Sequence, residues 1–285
     1  MKKHFASIPF LASLGILNSG IASAEQYRSE PWQMGFQKAG SPTAERIFEF
    51  HDMLLYIETA IVLFVLAIMA YIIFRFNAKA NPTPSKTSHN STLEVIWTAV
   101  PILILIIIAI PSLKLLYFID HTDEPEMTLK VTGNQWYWSY TYPDQGGFEF
   151  DSIMLDDDEL EEGQPRLLSV DEPVVLPVDT NIRILLVSND VIHNFAVPSL
   201  GLKLDTTPGR TNETWVKINE PGDYYGMCSE LCGINHGAMP VHVIALSKED
   251  YAAWIVGAKE EYASNSDPDD LYDSATIKIA STISQ

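Results

Sequence analysis

Along the chain the apolar positions follow two regimes. Over 50–76 and 93–119 apolar residues succeed one another with almost no polar break, long enough for a helix to cross the roughly 30 Å hydrocarbon layer. The two stretches are read as a transmembrane hairpin, 50–119, with 77–92 as its connecting loop. Pro101 and Pro111 fall inside the second stretch, where neighbouring helices take up the backbone groups that proline frees, so a packed bundle with a partner is expected. From Met127 the regime changes. The runs "MTLKVTGNQWYWSYTY", "NIRILLVSNDVIHNFAVP", "TNETWVKI" and "MPVHVIAL" are β-branched and aromatic-rich, and Gly, Pro, Asn and Asp clusters separate them. That spacing predicts an all-β sandwich or barrel over 120–263. One helix is expected to close it: Ser247 and Asp250 form a capping-box pattern, and Tyr251, Trp254, Ile255 and Ala258 recur on one face. Beyond about Ser264 the pattern is lost, and 264–285 reads as a mobile acidic tail.

The ends of the chain set its orientation. Met1, Lys2 and Lys3 precede the short apolar run "FLASLGILNSGIA" and the small-residue site Ala22-Ser23-Ala24, which reads as a bacterial signal peptide, 1–24, leaving an outer segment 25–49. Asn18, Ser19 and Gly20 interrupt that run, which is too short to be a first span. The hairpin loop carries Arg75, Lys79 and Lys86 and no acid before Glu94, so it belongs in the cytoplasm and both termini face outward. The expected location is the bacterial inner membrane, with the β domain in the periplasm. Charge divides accordingly. Residues 1–119 hold nine Lys and Arg against seven Asp and Glu, whereas 120–285 hold nine against thirty, out of a total of 18 against 37. An acidic exported part of that size repels nucleic acid and attracts a basic partner. The run 156–162, "DDDELEE", reads first as a solvated, solubilising face.

Chemistry concentrates at 228–239, "CSELCGINHGAM", which holds both cysteines of the chain, a histidine and a methionine. An exported pair of cysteines suggests a disulfide, although three intervening residues make a tight loop to bridge. Zinc would accept two thiolates and His236 but needs a second imidazole and gives Met239 no role. Copper uses every residue: thiolate and thioether are soft ligands, and two thiolates in one loop can bridge two metals, each completed by an imidazole and a weaker donor. Covalent haem attachment is excluded, because C-x-x-C-H is absent.

The loop pattern C-x3-C-x3-H-x2-M, together with "QWYWSY" (135–140) and "HNFAVPSLGLKLDTTPGR" (193–210) behind a membrane hairpin, resembles subunit 2 of cytochrome c oxidase, in the form that carries the dinuclear copper centre Cu(A). The likeness covers roughly 45–258. It implies a cupredoxin-like exported domain that accepts electrons from cytochrome c at two coppers and passes them to haem in subunit 1, where oxygen is reduced to water and protons are pumped. It further implies that Cys228 and Cys232 bridge the coppers, that His193, His236, Met239 and the Glu230 carbonyl complete them, and that the Glu230 side chain reaches a magnesium ion shared with subunit 1. Trp136 is then the residue that admits the electron, Glu94 the cytoplasmic entrance of a proton channel, and Asp171 and Asp190 are docking carboxylates; further oxidase subunits are implied too. Three qualifications come from the residues themselves. Trp136, Trp138 and Tyr140 are in phase, so alternation does not say which tryptophan is exposed. Ser91 to Glu94 is also a capping box, a sufficient structural account of Glu94. The position after "QWYWSY", often acidic in the family, is Thr141 here, so Asp144 or Glu149 is expected to share the docking role. His51, His89, His121 and His242 match no ligand position, and Glu58, costly within a span unless paired, is left without a role. Rival readings are a quinol oxidase subunit, which would lack the copper ligands, nitrous oxide reductase, which needs a histidine-rich catalytic domain, and a copper carrier, which would hold one metal.

Overall fold

The computed structural model describes residues 26–121 and 124–262; the expected signal peptide and acidic tail lie outside them. After a two-residue strand β1 (Gln26–Tyr27) come two long helices, α1 (Pro42–Arg75) and α2 (Ser91–Asp120). The first begins above the apolar run because its polar first turn is capped: Ser41 Oγ accepts from Ala44 N at 3.0 Å, and Pro42 fits the first helical position, where no N–H is needed. In α2 the cap is Asn90, whose side chain accepts from Leu93 N at 3.2 Å, and not the expected Ser91, which is already helical. Both helices are long and apolar enough to cross a membrane, and the other described residues leave their apolar windows uncovered.

The rest is a two-sheet β domain. Its strands are β2 (Met127–Asn134), β3 (Tyr137–Thr141), β4 (Glu149–Ser152), β5 (Val174–Pro177), β6 (Ile182–Ser188), β7 (His193–Val197), β8 (Leu202–Thr206), β9 (Asn212–Val216), β10 (Gly222–Cys228) and β11 (Pro240–Leu246), followed by α3 (Lys248–Tyr262). One sheet has the order β5-β11-β10-β7-β8, with β1 paired to β10; the other runs β4-β3-β2-β6-β9. A single apolar cluster drawn from both sheets, including Leu129, Val131, Ile184, Leu186, Val197, Tyr224 and Val243, supplies the core. Helix α3 closes it as expected, burying Tyr251, Ile255 and Ala258, and Asp250 N donates to Ser247 Oγ at 3.1 Å.

Each helix is tied to a different sheet. Before α1, Gly40 N donates to Ser199 O at 2.7 Å and Ser41 Oγ to Leu200 O at 2.7 Å, between β7 and β8. Gly201, at φ +68°, allows this approach, since a Cβ there would stand 2.9 Å from Ala44 N. At the end of α2, Phe118 O accepts from Trp215 Nε1 of β9 at 3.2 Å, and the two rings meet edge to face at 5.2 Å.

Candidate metal centre

The six donor residues expected from the resemblance converge. Cys228 is the last residue of β10 and pairs across to Phe195, two residues along β7 from His193, so the sheet register brings a distant histidine beside the loop. The ligand atoms of His193, Cys228 and Cys232 all lie within 4.8 Å of one another. The two sulfurs stand 3.8 Å apart, well beyond the roughly 2.05 Å of a disulfide bond, and both thiols are free. Cys232 Sγ is 3.5 Å from His236 Nδ1 and 3.5 Å from Met239 Sδ, and Cys228 Sγ is 3.3 Å from Glu230 O. His193 is fully buried, and both cysteines and Met239 are buried, whereas Glu230 is exposed.

The hydrogen bonds of the cluster leave one donor atom unused. His193 Nε2 meets Asp190 Oδ1 at 2.8 Å, which leaves Nδ1 buried and without a hydrogen-bond partner among the described residues. Burial works to raise the Cys228 pKa, but His193 and the backbone around Asn194 and Glu230 outweigh it, so this thiol sits well below the ordinary range. Burial, and next the charge of Cys228, push the Cys232 thiol up. Burial would lower the His193 pKa, yet Cys228 and Asp190 overcome it and raise it. Two soft sulfurs, a thioether and an imidazole nitrogen with nothing to bond fit copper, the ion whose preferences the donors match.

The shell around these donors was largely silent in the sequence. Gln135 Nε2 donates to Cys232 O at 2.8 Å, and Trp138 Nε1 to Met239 O at 3.3 Å. A Cβ on Gly133 would stand 2.8 Å from His193 Cδ2, so glycine is what lets the ring lie against β2. Trp136 is not in phase with Trp138 after all. Asn134 pairs with Tyr137, so Gln135 and Trp136 form the two-residue turn between β2 and β3 and escape the strand alternation. Trp138 is fully buried, whereas half-buried Trp136 lies over the loop, with Nε1 3.3 Å from Cys232 O.

The carboxylates separate into two kinds. Asp190 accepts from Gln135 N at 2.7 Å and Val191 N at 2.6 Å as well as from His193. Burial raises its pKa, but those hydrogen bonds, His193 first, bring it below the usual value. Asp171 is apart from the cluster, accepting from Ile153 N and Glu172 N at 2.7 Å each. Thr141 pairs with Glu149, and its hydroxyl donates to that carboxylate. Asp144 accepts from Thr128 N at 2.7 Å. Glu94 lies half-buried in the first turns of α2, and Glu58 is exposed on α1.

Comparison with known proteins gives the same direction. Residues 29–115 match the family model described as cytochrome c oxidase subunit II, transmembrane domain, and 127–246 match its periplasmic domain. A probable cytochrome c oxidase subunit 2 of Rickettsia bellii is 52% identical over 235 residues, which span 82% of this chain and 87% of that one. Cytochrome c oxidase subunit 2 of Phytophthora megasperma is 47% identical over 80% of this chain and 87% of its own length. The crystal structure of the periplasmic domain of subunit II of cytochrome oxidase from Bradyrhizobium japonicum is 47% identical, with a TM-score of 0.47, covering 50% of this chain and 99% of that one. The chain thus belongs to the cytochrome c oxidase subunit 2 family, a membrane-bound component of an oxidoreductase.

Proposed function

We propose that this chain is the electron-accepting subunit of its oxidase, with a two-copper Cu(A) centre in the periplasm and its hairpin in the bacterial inner membrane. The observation that carries the reading is the cluster itself: two free sulfurs 3.8 Å apart beside a buried imidazole whose Nδ1 has no partner among the described residues. Cys228 and Cys232 would hold the two coppers between them, with His193, His236, Met239 and the Glu230 carbonyl as the further donors. Bound there, copper would supply a one-electron redox site between reduced cytochrome c and the haem of subunit 1.

The chain's own residues hold and screen that centre. Gln135 and Trp136 brace the loop through Cys232 O, and the half-buried Trp136 ring is the surface at which a docked donor would meet it. Asp190 fixes the His193 ring with Nδ1 inward. Asp171 and Asp190 were the expected docking acids; the three backbone and ring bonds on Asp190 favour positioning as its main work, and Glu149 and Asp144 join Asp171 in the acidic rim. Exposed Glu230 is free to reach a magnesium ion shared with subunit 1, and Glu94 opens the proton channel at the cytoplasmic end of α2. Exported residues 120–263 are the copper domain, and the signal peptide ends at Ala24.

The test is the metal. Copper-loaded protein should hold two coppers per chain and give a purple chromophore whose electron-spin-resonance spectrum is split by two equivalent nuclei. Replacing Cys232 by Ser should abolish that signature. One copper per chain, or a colourless disulfide, would overturn the proposal.

A further inference from the structure

A recess of about 290 Å³ lies between the ends of α1 and α2 nearest the β domain. Phe50, Met53, Pro111 and Leu115, all half-buried, make its floor, and the exposed Arg46, Glu49 and Lys114 stand on its rim. The Arg46 guanidinium lies 3.6 Å over the Phe118 ring, which orients it, but neither Arg46, Lys114 nor Glu49 makes an ion pair among the described residues. Lys114, exposed, sits one helical turn before Phe118 on α2 and lines the recess. Below the recess both helices present uncovered apolar side chains such as Leu55 and Ile107. Two cations and one carboxylate leave the rim one positive charge in excess, above a floor without polar groups.

We propose that this recess binds a phospholipid of the leaflet next to the β domain, its phosphate held between Arg46 and Lys114 and its acyl chains lying down the hairpin. The single negative charge of a phosphodiester matches the excess on the rim, and the apolar floor and uncovered helices below suit the glycerol and chains. A bare transmembrane helix of another subunit would leave that excess positive charge unneutralised at the membrane boundary.

The test uses the intact oxidase, purified from membranes of phosphatidylethanolamine and phosphatidylglycerol and weighed by native mass spectrometry. Wild type should retain one more phospholipid per complex than an Arg46→Gln, Lys114→Met double variant. Lys114→Met alone leaves the Arg46 and Phe118 contact intact and should lower occupancy about fivefold, the effect of one cation near a lipid phosphate, while Lys114→Arg should keep it. The copper spectrum reports that each variant is folded. Equal retention in wild type and the double variant overturns the proposal, as does carbodiimide coupling of Lys114 to a carboxylate of a neighbouring subunit. Glycerol 3-phosphate binding to delipidated complex as tightly as the lipid would also overturn it, by showing that the chains contribute nothing.

Discussion

The imidazole of His193 is held from one side only: Nε2 meets the Asp190 carboxylate at 2.8 Å, and Nδ1 is buried with no hydrogen-bond partner among the described residues. Removing such a ring partner usually weakens metal binding about 10–100-fold. Asp190→Ala should therefore lower copper affinity in that range and alter the histidine couplings of the copper spectrum. If Asp190 acted only in docking, the spectrum would stay unchanged and only the salt dependence of donor oxidation would move. Gly133→Ala should lose copper while the domain stays folded by circular dichroism, because its methyl would strike His193 Cδ2 and Thr206 Oγ1, each 2.8 Å away. Copper uptake by the empty protein should weaken as pH falls. The metal must displace the proton of the Cys232 thiol, whose pKa is raised, and that of the His193 imidazolium, also raised, so protons compete in that direction; proton release on titration with copper measures it. At this scale the sequence was legible where the chemistry is local. Cys228, Cys232, His236 and Met239 share one loop, so spacing alone exposes them. His193 arrives from another strand through sheet register, and Gly133 and Gln135 act through shape and a backbone carbonyl, so neither carries a chemical signature.

Among the elements, the hairpin and the strands were readable because apolar runs and alternation reflect burial directly. The phase of Trp136, though not its choice, was misread for a definite reason: the two-fold period holds only while the backbone is extended, and the pairing of Asn134 with Tyr137 turns the chain at Gln135 and Trp136. The partner side of this turn is also special. Gly233 lies at φ +129°, and a Cβ there would stand 2.8 Å from the Trp136 ring, so the loop and the tryptophan fit only through a glycine. Helix α1 begins eight residues before the apolar run at 50, because hydropathy reports the membrane span and takes no account of a capped polar turn. The closing helix follows its pattern, and Ile255, 7% exposed, is central to its buried face. Ile255→Ala should cost about 2–5 kcal/mol and lower the temperature at which the copper chromophore is lost in detergent, without changing its spectrum at room temperature.

At the scale of the whole molecule, the balance of charge and the way the domain is mounted decide how a donor is met. With thirty acids against nine bases in 120–285, encounter with a basic donor should slow as salt shortens the electrostatic reach from about 30 Å at 0.01 M to about 8 Å at 0.15 M. Donor oxidation under limiting donor should fall across that range, while the maximal rate with saturating donor stays much less affected. The mounting follows from the two ties described above: α1 holds the sheet that carries His193 and Cys228 through Ser199 and Leu200, and α2 holds the other through Trp215. A platform tied at two corners to a pair of piles is restrained from turning about either one. The landing stage for electrons is thus steadied from below, and the travelling is left to the ferry.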